Sequence, residues 1–169
     1  MSEKRPRLVR AAAMTAVSRT VSKAPANDAI DFDLLPGLVG YQLRRAQVSV
    51  FARFNQAMAA IQITPGQFGV LVLIGANPGL TQSALAKAVG IERSTMVAVI
   101  DGLERRKLVE RRASPVDRRS HALVLSDTGA VLLDDLKKRV LRHERQFLEA
   151  LSAEERQTLI RLLRSISAD

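Results

Sequence analysis

The fold is decided by the stretch ERSTMVAVIDGLERRKLV, residues 92–109, which continues directly into ERRASPVDRRSHALVL, residues 110–125. A shorter helical segment begins at Thr81 and ends at Gly90, so the first stretch predicts the second, longer helix of a helix-turn-helix. The arginine-rich continuation predicts a basic β-hairpin. A helix-turn-helix sets its second helix in the major groove of DNA, and a basic hairpin beside it can reach flanking phosphates or the minor groove. The stretch therefore predicts a winged DNA-binding unit.

The hairpin is predicted from two runs of alternating residues, Leu108–Arg112 and Ser120–Leu125. Between them, Ser114, Pro115 and Asp117 are residue types that favour a turn. We therefore expect a two-stranded wing that carries several arginines.

One pattern in the hairpin is more specific than the rest. An Asp and an Arg lie two residues apart, and an alternating strand and a helix-opening Ser follow; these residues are Asp117, Arg119, Leu123, Leu125 and Ser126. The pattern closely resembles the MarR family of winged-helix transcription factors, and the resemblance extends from about residue 38 to residue 166. It implies a mainly α fold with a small two-stranded β-wing and long N- and C-terminal dimerisation helices. It also implies a cytoplasmic, homodimeric repressor that binds a pseudo-palindromic operator in double-stranded DNA and responds to a small-molecule effector.

Long apolar stripes flank the winged unit. The first predicted helix has apolar residues three or four positions apart, at Leu43, Ala46, Val50, Phe54, Met58 and Ile61. Ser126 opens another long helix, and Ser152 with Glu155 forms a capping box for the last one. The long helix has the inward residues Leu133, Leu136, Val140, Phe147 and Leu151, and the last helix carries an apolar stripe of Leu159, Leu162, Leu163 and Ile166. The surplus apolar surface predicts a homodimer, with dimerisation helices at about 38–60 and 127–167 and the winged unit at about 64–125, all within a domain of residues 31–169.

The helices of the winged unit have clear start signals. Thr64, Pro65 and Gln67 form a capping box with proline at the first helical position, ahead of a central buried helix. Thr81 caps the third helix. The inward stripes are predicted to be Leu85, Ala86 and Val89 in the third helix and Val97, Ile100 and Leu103 in the fourth. With these inward residues in the fourth helix, Arg93, Ser94 and Thr95 are predicted to face outward.

Composition limits the classes of function. The 169 residues carry a net charge of +9 and a sequence pI near 11, which favours polyanionic partners without choosing among DNA, RNA and anionic lipid. No apolar run is long enough to cross a bilayer, so we expect no membrane partner. The chain has no Cys, which excludes disulfides and thiol-based sensing. Only two histidines are present, so we expect no metal site. We also expect no cofactor.

The N-terminal segment, residues 1–30, differs from the rest of the chain. Six basic residues face two acidic ones, and the apolar residues are mostly Ala and Val. Such a segment buries little, so we expect a basic, disordered arm. It has three interpretations: an arm that follows DNA, a solubilising tail without a specific role, and a transit peptide, to which its composition is superficially similar.

Arginines and short polar side chains are the candidate DNA contacts. Arg93, Ser94 and Thr95 start the recognition helix, where Arg93 is suited to bond guanine through O6 and N7. Gln82 and Ser83 resemble family positions that bond the DNA backbone. In the wing, Arg112, Asp117, Arg118 and Arg119 are candidates; one arginine would enter the minor groove while Asp117 holds the other, and the family pattern gives the paired role to Arg119. Lys107, Arg111 and Arg112 either attract phosphates or are simply solvated, and Arg93, Ser94 and Thr95 could also be ordinary surface residues.

The first helix carries the candidate ligand site. The resemblance places small effectors between the dimerisation helices and the winged unit, close to Tyr41, Arg44, Arg45, Phe51 and Phe54. Aromatic walls with an arginine suit an aromatic acid or its coenzyme A thioester. The alternative is that the phenylalanines belong to the core and the arginines to the surface.

Four classes of function remain to be compared. A ligand-responsive repressor is favoured, and a nonspecific architectural DNA-binding protein is the main alternative, because the charge and the basic arm fit both. The sequence has no Gly-rich phosphate loop, nucleophile elbow or metal-ligand spacing, so we do not expect an enzyme. A winged helix that has lost DNA binding is disfavoured by Arg93, Arg118 and Arg119.

Overall fold

The computed structural model describes residues 30–113 and 121–167. A short 3₁₀ helix at Leu35–Gly37 precedes the first long helix. The helices are α1 (Val39–Ala57), α2 (Pro65–Ala76), α3 (Gln82–Val89), α4 (Arg93–Arg105), α5 (Asp127–Phe147) and α6 (Ala153–Ser167), and the strands are β1 (Leu80–Thr81), β2 (Val109–Ala113) and β3 (His121–Leu125). This is the predicted winged helix-turn-helix between long helices. None of the helices among the described residues has the length and apolarity needed to span a bilayer.

The sheet has three strands, where the sequence predicted two. β3 lies in the middle and pairs antiparallel with both β2 and β1. In β1, Leu80 pairs with Leu123 and Thr81 with Ala122. The prediction missed β1 because two residues are too short to show an alternating pattern. The third strand attaches the start of α3 to the base of the wing.

Side-chain caps fix the starts of the helices as predicted. Thr64 accepts a hydrogen bond from the backbone N–H of Gln67, whose side chain accepts one from the N–H of Thr64. The Thr81 and Ser126 hydroxyls accept hydrogen bonds from the backbone N–H groups of Ala84 and Gly129 and so cap α3 and α5. At α6, Ser152 and Glu155 form the second capping box, and the N–H of Ser152 lowers the pKa of the Glu155 carboxyl.

One compact core joins α2, α3, α4, the sheet and the first half of α5. Its most completely covered side chains are Leu71, Ile74, Leu85, Met96, Ile100, Leu103, Leu123 and Leu136. Two predicted inward residues are exposed instead, Val89 at 36% and Val97 at 39%. In α4, Met96, Ile100 and Leu103 share one face by their spacing of four and three, whereas Val97 lies about 100° further around the helix.

The first helix ends earlier than its apolar stripe. α1 stops at Ala57, and Gln62 takes a left-handed conformation with φ of 55°. The chain then runs extended through Thr64, because the proline that follows disfavours a helical conformation there. Arg106 secures this turn by donating hydrogen bonds of 2.7 Å to the carbonyl oxygens of Ile61 and Gln62.

Candidate nucleic-acid interface and an adjoining cavity

The turn between α3 and α4 sets the angle of the recognition helix. Gly90 ends α3 with φ of 72°, a left-handed conformation that glycine adopts without steric cost. The N–H of Ile91 then donates to the carbonyl of Ala86 at 3.1 Å, which closes the turn. The buried face of α4 fixes its rotation, so the opposite face at its N-terminal end is directed to solvent.

Arg93, Ser94 and Thr95 occupy that exposed end of α4. Glu92 is the N-cap residue and makes no side-chain capping bond, so the first N–H groups of α4 have no side-chain acceptor from it. A helix end with these free donors and the positive end of its dipole favours a phosphate oxygen. Val97, one turn beyond Arg93, adds an exposed apolar side chain that could contact a thymine methyl group.

Gln82 and Ser83 lie in the first turn of α3. Ser83 is exposed, while Gln82 is partly covered. The Nε2 atom of Gln82 is buried and has no hydrogen-bond partner among the described residues. An amide donor without an acceptor is costly, and this atom is closed to solvent, so the accessible polar group in this turn is the Ser83 hydroxyl.

The wing is tied to the recognition helix by one arginine. Arg111 of β2 donates to Asp101 of α4 at 2.5 Å and also to Glu104 of the same helix. Burial lowers the pKa of Arg111, but the hydrogen bond to Asp101 and the charge of Glu104 outweigh it and raise that pKa above its usual value. Arg111 therefore holds the wing against α4 and is not a free phosphate contact. We call this ion-pair group the α4–wing clamp.

Arg112 points to the other side of β2 and remains exposed. Among the described residues, its guanidinium pairs along its own strand, with Glu110 at 2.9 Å. An exposed pair of this kind contributes little to stability, so a phosphate can replace Glu110 as the partner of Arg112. Asp117, Arg118 and Arg119 lie outside the described residues.

A large cavity lies between α1, α5 and α6. Its volume is about 760 Å³, and most of its lining is aliphatic or aromatic. At one end the ring of Phe54 lies 6.1 Å from Phe68 and 6.0 Å from His143, and His143 stacks with Phe147 at 6.4 Å. The Nε2 atom of His143 is buried without a hydrogen-bond partner among the described residues. The other end is lined by Leu159, Ile160 and Leu163 of α6.

Comparison with known proteins decides the family. The MarR family model matches residues 61–120. A candidate transcriptional regulatory protein for the hcr operon of Thauera aromatica is 39% identical over 133 residues, which cover 78% of this chain and 80% of the relative. The chain belongs to the MarR family. It is thus a DNA-binding transcriptional regulator.

Other MarR-family relatives extend the comparison. The transcriptional repressor NicR of Pseudomonas putida is 31% identical over 128 residues, 76% of this chain and 81% of the repressor. The repressor CouR has been solved on a 23-mer DNA duplex; that structure is 43% identical, covers 83% of this chain and 99% of CouR, and has a TM-score of 0.78. A second CouR structure, bound to p-coumaroyl-CoA, is 40% identical with the same coverage and a TM-score of 0.77.

Most of the sequence-predicted DNA contacts that the structure describes in this MarR-family chain are exposed. Arg93, Ser94 and Thr95 lie together on α4, with Ser83 exposed on α3 and Arg112 exposed on β2. Sequence reasoning missed Val97, which it assigned to the core because a spacing of three to Ile100 also fits a helical stripe.

Of the five predicted ligand residues, one lines the cavity. Phe54 lines the cavity, but the cavity lining does not include Tyr41, Arg44, Arg45 or Phe51. Arg45 instead lies over the ring of Tyr41 at 5.8 Å, and Phe51 is 44% exposed. Arg44 donates to Gln47. Sequence reasoning missed His143 as a cavity residue, although its position four residues before Phe147 puts both rings on one face of α5.

Proposed function

We propose that this MarR-family chain is a homodimeric repressor that places one α4 in each of two successive major grooves of a pseudo-palindromic operator. The observation that carries the proposal is the exposed group Arg93, Ser94 and Thr95 at the N-terminal end of a helix whose other face is fully buried. Arg93 reads a guanine, and Ser94 and Thr95 contact base edges or phosphates. Gln82, Ser83 and Arg112 bind the DNA backbone on either side.

The wing completes the contact in this proposal. One of Arg118 and Arg119 enters the minor groove, and Asp117 orients the other; the net charge of +9 supports both. The α4–wing clamp fixes the position of the hairpin relative to the recognition helix. The helix can therefore contact the major groove while the hairpin contacts the minor groove.

Dimerisation is supported by the helices outside the winged unit. α6 has no buried residue, and five of its large apolar side chains are exposed: Leu159, Ile160, Leu162, Leu163 and Ile166. A second copy of the chain would cover this face, and its twofold symmetry would match the operator. A repressor of this kind works in the cytoplasm and needs no catalytic activity.

The effector in this proposal is a small anionic aromatic compound, an aromatic acid or its coenzyme A thioester. The relative CouR, bound to p-coumaroyl-CoA in one structure, and the aromatic end of the cavity support this class. Phe54 contacts the ring, while Tyr41, Phe51, Arg44 and Arg45 contribute nearer the start of α1, the arginines to the charged part. Binding between the dimerisation helices changes the spacing of the two α4 helices and releases DNA; a coupling of about 1–3 kcal/mol suffices.

Footprinting on DNA from the chain's own genome tests the DNA part of the proposal. A repressor should protect a discrete pseudo-palindrome with two half-sites about one helical turn apart. Uniform coating of all fragments would support the nonspecific architectural alternative. Titration of the complex with aromatic acids and their thioesters, using wild type, Arg44→Ala and Arg45→Ala, tests the effector part.

A further inference from the structure

The C-terminal end of the recognition helix α4 is bonded to the turn that follows α1. Arg106, the C-cap residue of α4, donates from Nη1 to the carbonyl oxygen of Gln62 and from Nη2 to that of Ile61. Both N···O distances are 2.7 Å, and the bonds join residues 44 and 45 positions apart in the sequence. The N–H groups of Ile61 and Gln62 both donate to the carbonyl of Met58, so this turn continues directly from the end of α1. Arg106 therefore connects α4 to the long first helix.

The two residues after Arg106 hold the start of α5. The carbonyl oxygen of Lys107 accepts a hydrogen bond from the Ser126 hydroxyl at 2.5 Å, and that of Leu108 accepts one from the Ser126 N–H at 3.2 Å. Gly129, in the first turn of α5, lies against the same carbonyl of Leu108. Residues 106–108, which we call the α4 junction, therefore contact both long helices that flank the winged unit.

The bonds made by Arg106 differ in kind from the apolar contacts that hold α1. Phe54 is buried in α1, and Met58, directly after the helix, is buried too. Apolar contacts have no preferred direction, so they allow α1 to pivot, whereas a planar guanidinium that donates two bonds in a fork fixes a direction. Gln62 and Lys107, beside the two ends of this fork, take left-handed conformations with φ of 55° and 57°, which non-glycine residues keep only where their surroundings hold them. The fork thus orients α1 relative to α4.

We propose that Arg106 is a positioning residue for DNA binding, which fixes the angle between α1 and α4 and thereby the spacing of the two α4 helices in the dimer. The inference rests on the proposed function, in which the two copies meet through helices outside the winged unit. Twofold symmetry applies any change of this angle to both recognition helices at once. The half-sites lie about one helical turn apart, and one added base pair rotates the second by about 35°, so selectivity for spacing reports how rigidly the two helices are held.

The first measurement is the distance between the two α4 helices in the full-length dimer without DNA. The chain has no Cys, so Ala98→Cys at an exposed position of α4 gives one nitroxide attachment point in each copy. Pulsed electron paramagnetic resonance then measures the distribution of the distance between the two labels. Arg106→Ala and Arg106→Gln, which both lack the fork, should broaden this distribution. Arg105→Ala is the matched control, since Arg105 is the exposed neighbour with the same charge, and it should leave the distribution unchanged.

The second measurement is the affinity of the unlabelled proteins for duplexes of altered spacing. The probe is a duplex with two half-sites that wild type enriches from random-sequence DNA, together with versions in which one base pair is added or removed between the half-sites. Wild type and Arg105→Ala should bind the altered duplexes about tenfold more weakly than the original. For Arg106→Ala and Arg106→Gln this penalty should shrink to about threefold or less, because more loosely held recognition helices reach either spacing.

The outcomes separate a positioning role from a structural one. Arg106 is exposed, so both variants should stay folded and dimeric by circular dichroism and light scattering, with melting temperatures close to that of wild type. An unchanged distance distribution and an unchanged spacing penalty in either folded variant would overturn the assignment of Arg106 and leave the proposed function standing, even if the melting temperature falls. A wild type that gives no distance between labels, or that tolerates every spacing, would contradict the dimeric repressor and this inference with it.

Discussion

The winged unit and the C-terminal helix differ in where their apolar side chains go. In α4, Met96, Ile100 and Leu103 are completely covered by the rest of the same chain. α6 is two residues longer, yet none of its residues is buried. The winged unit therefore contains its own core, whereas the apolar face of α6 is left exposed, and we propose that a second copy covers it. Destabilising substitutions in the winged unit should lower the stability of the fold, and those in α6 should weaken dimerisation.

The largest effect is expected at the start of α5, where that helix packs against the winged unit. Gly129, in the first turn of α5, lies so close to Leu108, the residue before β2, that a methyl group there would overlap the carbonyl oxygen of Leu108. Gly129→Ala should displace α5 and lower the stability by at least about 3 kcal/mol, because the obstacle is backbone and cannot move aside. Thermal unfolding at fixed concentration measures it. Gly69→Ala in α2 is the control, since nothing lies within 4 Å of the new methyl group. Equal melting temperatures for the two variants would contradict the close contact.

The second prediction concerns assembly alone. Leu163→Glu should break the dimer, because it places a charge on the exposed apolar face of α6. Light scattering should give twice the 18.5 kDa chain mass for wild type and a smaller, concentration-dependent mass for the variant. Val131→Glu on α5 is the control, as Val131 is even more exposed, at 74%. A Leu163→Glu protein that stays fully dimeric would exclude this face of α6 from the interface.

Variants of Arg93 and Arg112 should distinguish a contact with a base from a contact with the DNA backbone. Arg93→Ala should cost about 1–3 kcal/mol of operator binding and relax the preference at one base pair, since a bidentate base contact is lost. Arg112→Ala should weaken operator and random DNA alike and reduce the salt slope by about one unit. Mobility shifts at several salt concentrations distinguish the two patterns. If Arg93→Ala weakens all sequences equally, Arg93 contacts phosphate and not a base.

The charges of the α4–wing clamp should influence the affinity for DNA. Arg111→Ala leaves Asp101 and Glu104 without a partner beside the DNA-facing helix, so affinity should fall about tenfold for all sequences. The clamp is partly solvent-exposed, so the stability loss should be only about 1 kcal/mol. Adding Asp101→Asn and Glu104→Gln should restore most of the affinity. A triple variant that binds as weakly as Arg111→Ala would show that the clamp acts by fixing the wing position instead.

The sequence predicted local features better than features made by distant segments. The caps at Thr64, Thr81 and Ser126 were correct because each depends on neighbours within three residues. The stripe of α4 was partly wrong because Met96 and Val97 both fit a helical period with Ile100, and only packing chooses between them. A ligand pocket beside the first helix was predicted, but most of the residues that line the cavity were not, since the cavity joins residues of α1 to residues about a hundred positions later. Phe54 is therefore the one predicted ligand residue in the cavity lining.

The smallest effect is expected from the N-terminal arm, which the sequence sets apart from both regions. Residues 1–30 hold six basic and two acidic residues and few large apolar ones. Removing them should leave the melting temperature and the dimer mass unchanged, because so little apolar surface contributes little to a core. If the arm follows the DNA backbone, affinity should fall for operator and random DNA alike, and the loss should shrink as salt screens the charges. A control chain in which the six basic residues are replaced by Gln separates charge from length. A clear drop in melting temperature would show that the segment packs on the body, and equal affinity at all salt concentrations would leave it without a role in DNA binding.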